Sequence, residues 1–182
     1  TIPHPTMSQR MWTENTPGLR IDREKKQIYF ALSGIETELA EFYNHYLGGD
    51  LEYFAVNPEL DPALYTLAEM YRKEPWTGLK LIHFNFPGLY SWGLSLKDEN
   101  GKPALYNDTL RDVMAKSLSM KAKWRERKVK ELFPGIPTMI TVGDGALAVY
   151  NSAGGTGSWD RVRQDYDEMM SPLEGITVIH CC

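Results

Sequence analysis

Ile176-Thr177-Val178-Ile179-His180-Cys181-Cys182 joins four β-favouring residues to an imidazole and two thiols. Read as a buried strand, the stretch delivers soft metal ligands at its C-terminal end, because imidazole and thiolate are donors that zinc takes. Cys181 and Cys182 are the only cysteines of the chain. A zinc site needs about four ligands, so the segment reads as half of one. The plain alternative is a core strand ending in inert thiols, since free cysteine is commonly buried.

Other residues have chemistry to offer. Asp144 stands between Gly143 and Gly145, directly after the β-prone run 138–142. That is the C-terminal edge of a strand, where (β/α) chemistry collects; a turn aspartate without further function is the alternative. His83 and Asn85 alternate along residues 79–86, so their side chains share one face. They line the mouth of a site or form an ordinary core or surface pair. His4 lies near a possible strand around Ile2 and has the same ambiguity. His45 sits among acidic neighbours on a helix and is expected to face solvent. Gly154-Gly155-Thr156-Gly157-Ser158 precedes a helix start whose backbone N–H groups could meet phosphate or carboxylate. It lacks the Lys-Ser/Thr of a P-loop and the dinucleotide fingerprint. A loop with Ser158 as N-cap explains it equally.

The elements that must position these residues are legible in outline. Thr1 to Met11 is expected to be extended, because Pro3 and Pro5 oppose a helix. Residues 19–22 and 27–32 flank the charged turn Arg23-Glu24-Lys25-Lys26 as a β-hairpin. Ser33 and Glu36 make a capping-box pattern. Apolar residues then recur at helical spacing from Ile35 to Leu47, and Gly48-Gly49 ends the run. Residues 61–72 form a second helix with Pro62 in its first turn. Strands are expected at 79–86, at 138–142 and from Ile176 onward. A long helix from Thr109 to about Leu132, capped by Asp108, and another from Ser158 to about Met170 separate them. Strand–helix–strand–helix–strand with long crossovers implies parallel pairing. An open sheet and part of a (β/α) barrel both fit; a full barrel typically needs about 250 residues, so these strands are too few to close a ring.

Composition bounds the rest. The 182 residues fit one domain, and 42% hydrophobic with 12% aromatic content supports a real core. The net charge of −4 gives no nucleic-acid footprint. The densest basic run, from Lys121 to Lys130, is interleaved with Glu126 and Glu131 and reads as a solvated helix face. No apolar run approaches the ~18 residues of a membrane span. Adjacent cysteines make no disulfide framework, and a reducing, cytoplasmic setting is the simpler expectation.

An ordered set of segments carries a resemblance. They are Pro17-Gly18-Leu19 with Ile28-Tyr29-Phe30, and Glu41-Phe42-Tyr43 through Leu51-Glu52-Tyr53-Phe54-Ala55. Leu105-Tyr106-Asn107-Asp108-Thr109-Leu110-Arg111-Asp112, Met120-Lys121-Ala122-Lys123-Trp124 and Phe133-Pro134-Gly135-Ile136-Pro137-Thr138 follow, and Val178-Ile179-His180-Cys181-Cys182 ends the set. Together they resemble the methionine-synthase-related proteins of the uroporphyrinogen decarboxylase/cobalamin-independent methionine synthase superfamily.

The resemblance implies an α/β chain forming part of a TIM (β/α) barrel with parallel strands, residues 1–182 being its middle portion and 17–75 a small hairpin and helical insertion. It also implies zinc held by a His-x-Cys pair at a strand end, which His180 and Cys182 match by position. Strand alternation supports the pairing, since residues i and i+2 share a face while Cys181 points away. The expected activity is methyl transfer between a small thiol, of the homocysteine type, and a methyl donor. Asp144 then stands where the family's acidic residue holds a substrate amino group, and His83 and Asn85 line the barrel mouth. Two departures stand out: Gly143-Asp144-Gly145 replaces the usual Asp-Glu-Pro, and Phe84 to Gly88 is more apolar than in relatives. They keep open a non-catalytic binding module, or a decarboxylase-like or corrinoid-linked member. The expected partner is a second copy of the chain or the remainder of the barrel.

Overall fold

The computed structural model describes residues 7–22, 24–25, 27–150 and 158–182. Three parallel strands carry the region of interest: β3 (Ile82–Pro87), β5 (Thr138–Gly143) and β6 (Ile176–His180), hydrogen-bonded in the order β3-β5-β6. The helices α4 (Leu89–Ser95) and α5 (Asp108–Leu132) connect the first two, and α6 (Trp159–Met170) connects the last two. The expected parallel neighbours are therefore present. The register aligns His83, Met139 and Ile176 in one row, Asn85, Thr141 and Val178 in the next, and Pro87, Gly143 and His180 at the C-terminal edge.

The period of two decides which face is covered. Ile82, Phe84, Phe86, Ile140 and Val142 are buried, while His83 and Asn85 between them are exposed. The buried set joins one core with Leu110, Met114, Leu118 and Ala122 of α5 and Val162, Tyr166 and Met169 of α6. All the crossover helices therefore lie on one face, and the His83/Asn85 face is open. Among the described residues the sheet does not close into a barrel; the chain is a mixed α/β fold with two small sheets.

The second sheet pairs β1 (Leu19–Asp22) and β2 (Gln27–Phe30) as the expected antiparallel hairpin. A two-residue strand, β4 (Lys97–Asp98), adds parallel to β2. The helices α2 (Ile35–Leu47) and α3 (Pro62–Lys73) pack beside α5. Tyr43 donates to Asp112 over 2.5 Å, and Arg125 clasps Asp61 at 2.7 and 3.2 Å. A second apolar cluster of Phe42, Phe54, Val113 and Met120 seals that contact.

Several expectations are corrected. Residues expected to be extended up to Met11 instead form α1 (Met7–Thr13); both prolines precede it, and burial of Met11 and Trp12 stabilises the helix. The N-cap of α2 is Gly34, at φ 73°, rather than Ser33, and no side chain caps it. Asn107 caps α5, its side chain accepting from Leu110 N, with Asp108 one position inside. The basic run is not a solvated face: Lys121 and Glu126 are buried, because α1 packs against α5 and the segments that begin β5 and β6 meet Glu126 where the sequence shows only charge. The last strand, expected to be buried, is exposed along all five residues of β6. It is the sheet's edge, and α6 covers little of it. The possible strand near Ile2, His4 and the glycine loop 151–157 lie outside the described residues.

Candidate functional site

The C-terminal edge of β3-β5-β6 gathers four of the five residues singled out for chemistry. His180 ends β6, and Cys182 follows two residues later; both are exposed. Asn85 is one row back on β3, and Asp144 follows β5. His83 is a further row away. Strands are about 4.8 Å apart, so two strands and two rows separate His83 from His180 and the two imidazoles do not meet. His83 Nε2 instead lies 2.9 Å from Thr141 Oγ1 across the open face. His45, expected in solvent, pairs with Asp50 at 2.8 Å and stacks on Tyr53 with ring centroids 4.0 Å apart.

A cleft of about 390 Å³ opens at the ends of β3 and β5. Asn85, Pro87 and Gly143 form its floor, and Trp12 of α1 with Ser91 and Trp92 of α4 form its walls. A parallel sheet places its ligands beyond the carboxyl ends of its strands, and this cleft has that position.

Asp144 is fully buried, and protein donors occupy its carboxylate. Oδ2 accepts from Tyr90 N at 2.8 Å and from the Tyr166 hydroxyl. Oδ1 accepts from Ser91 N at 2.8 Å and Ser91 Oγ at 2.6 Å. The carboxylate thus caps α4 from another strand, meeting orphan N–H groups of its first turn. Its path crosses Gly88, where an added Cβ would lie 2.2 Å from Asp144 Cβ. A substrate amine could reach Asp144 only by displacing one of these donors.

Tyr166 and Tyr90 belong to the same buried network. Burial, the Asp144 charge and its hydrogen bond push the Tyr166 phenol well above its ordinary range, and Cys181 adds a smaller push. Cys181 itself is exposed and lies just past the last residue of β6. Tyr90 is pushed up by burial and by donating to Asp165 at 2.8 Å; Arg161 holds Asp165 in turn at 2.9 Å. Both phenols stay protonated and act as donors at neutral pH.

His180 and Cys182 fit zinc in chemical type but not in number. Among the described residues, no group of three or more His, Cys, Asp or Glu side chains is placed to hold a metal ion. Any further ligands would have to come from outside the described residues.

The sequence reading missed Ser91, Trp92, Trp12 and Tyr166. Ser91 and Trp92 follow Pro87-Gly88 at the start of a crossover, a position that could have singled them out. Tyr166 fits the apolar spacing of Val162 and Met169 and looks like core. Nothing local marks Trp12. Scans of protein-family models, curated proteins and solved structures find no match to this chain.

Proposed function

We propose that this chain is the middle portion of a (β/α) barrel of the uroporphyrinogen decarboxylase/cobalamin-independent methionine synthase type, serving zinc-dependent methyl transfer to a small thiol. The observation carrying this reading is the placement of His180, Cys182 and Asn85 at the carboxyl edge of parallel strands ordered β3-β5-β6, with all crossover helices on one face. A sequential order with the crossover helices on one side fits one half of an open doubly wound sheet, and it fits equally part of a barrel. The open face would then be the barrel interior. His180 and Cys182 would supply two of zinc's ligands. Bound zinc would hold the acceptor thiol as thiolate near neutral pH without redox change. Asn85 and the tryptophan-walled cleft would seat the remainder of the substrates.

A second reading, a non-catalytic binding module of the same architecture, is favoured by one observation: the Asp144 carboxylate is already saturated by protein donors. The two readings part on zinc-dependent methylation of a homocysteine-type thiol. The reduced protein, supplied with zinc and a methyl donor, is assayed with and without a chelator. Chelator-sensitive thioether formation supports the enzyme. Ligand binding without turnover moves the binding module ahead.

A further inference from the structure

We infer that Asp144 is a positioning residue: with Ser91 and Tyr166 it fixes the orientation in which the chain presents His180 and Cys182. The inference serves the proposed function, since those two residues are its metal ligands, but it rests on geometry that stands without it.

The backbone of residues 143–146 is tied from every side. Gly88 N donates to Gly143 O at 2.8 Å, and Asp144 N donates to His180 O at 2.8 Å. Ala146 N donates to Ser91 Oγ at 3.0 Å, while that hydroxyl donates to Asp144. Gly145 packs so closely on the end of the chain that an added Cβ would lie 3.1 Å from Cys182 O. The Asp144 side chain is the centre of this arrangement. Donors from α4 and α6 hold its carboxylate, which fixes its own N–H against the last residue of β6. Removing one donor leaves a buried charge under-satisfied and frees the segment to shift. His180 sits on an exposed edge strand whose other side has no sheet partner among the described residues, so the Asp144 contact is its one tie beyond β5.

Amide hydrogen exchange tests this on the whole chain. In Tyr166→Phe and in Asp144→Asn, the Asp144 amide should exchange at least tenfold faster than in the parent, while Ile140 in the middle of β5 changes by less than twofold. Tyr166→Phe removes a single hydroxyl and keeps the test decisive if Asp144→Asn fails to fold. Equal acceleration at both amides, or none at Asp144, overturns the inference. A Co2+ titration in the same samples reads the other claim. If the parent binds Co2+ with a thiolate charge-transfer band, Tyr166→Phe should weaken that binding several-fold. A parent that binds none counts against the metal reading, and the exchange data alone then decide the positioning role.

Discussion

Lys121 has no exposed surface, and its Nζ meets no hydrogen-bond partner among the described residues. Burial lowers its pKa to about 8, with the Glu14 charge pulling weakly the other way. An unfolded lysine titrates near ~10.4. Between those values the unfolded chain binds more protons, so this group makes stability climb as pH rises from about 8 toward ~10. Below the folded pKa the full penalty stands, roughly 3 kcal/mol for a shift of this size. Lys121→Met should therefore stabilise the protein by ~1–3 kcal/mol at pH 7, because it keeps the packing stem and removes the unpaired charge. Urea unfolding at a series of pH values should show the climb in the parent and not in Lys121→Met. An unchanged slope would mean that another group causes it.

Two carboxylates on different elements hold the parallel sheet at its two ends. Asp144 ties the C-terminal edge, and Glu126 of α5 ties the N-terminal one. Glu126 accepts from Thr138 Oγ1 at 3.0 Å, from Glu174 N at 3.0 Å and from Lys130 Nζ at 2.9 Å, joining α5 to the starts of β5 and β6. Burial pushes its pKa up, but these three donors outweigh it and leave the group below its ordinary value. A depressed carboxylate contributes stability above its unfolded pKa of ~4.3 and loses it as pH falls through the lower folded value. Glu126→Gln should cost ~1–3 kcal/mol at pH 7, and the gap to the parent should narrow below pH 4. A gap that stays constant with pH would show that the charge contributes nothing.

The elements that rest on local pattern were legible in the sequence. β3, β5 and β6, the long helices α5 and α6 and the hairpin follow from periodicity, and Ser158 does cap α6, accepting from Arg161 N at 3.2 Å. What local pattern cannot carry was lost. The seven residues of α4 are too short to display a period, and Asp144, 53–54 positions away, caps them. The burial of Lys121 depends on elements that approach α5 from distant parts of the chain. In the site, the position of Asp144 was legible from its glycines, but its partners were not, since each is a long-range contact.

At the scale of the whole molecule, the described residues leave one face and the β6 edge of the sheet uncovered. Ile176, Val178 and Ile179 on β6 are 59%, 39% and 41% exposed, and among the described residues the strand's outer edge has no partner in its sheet. Edge strands of soluble proteins are usually blunted by a charge or a proline, and residues 176–182 have neither. The chain should therefore self-associate at micromolar concentration in sedimentation velocity, and Val178→Lys should return it to monomer. A monodisperse parent monomer would show that this face needs no cover. The same edge carries the central claim, that His180 and Cys182 share a face and bind zinc while Cys181 does not. Zinc binding by the reduced parent, Cys181→Ser and Cys182→Ser tests it most directly. The account predicts loss in Cys182→Ser, because a hydroxyl stays protonated where a thiolate is needed, and near-parental binding in Cys181→Ser. A parent that binds no zinc, or a Cys182→Ser that keeps it while Cys181→Ser loses it, would contradict the account.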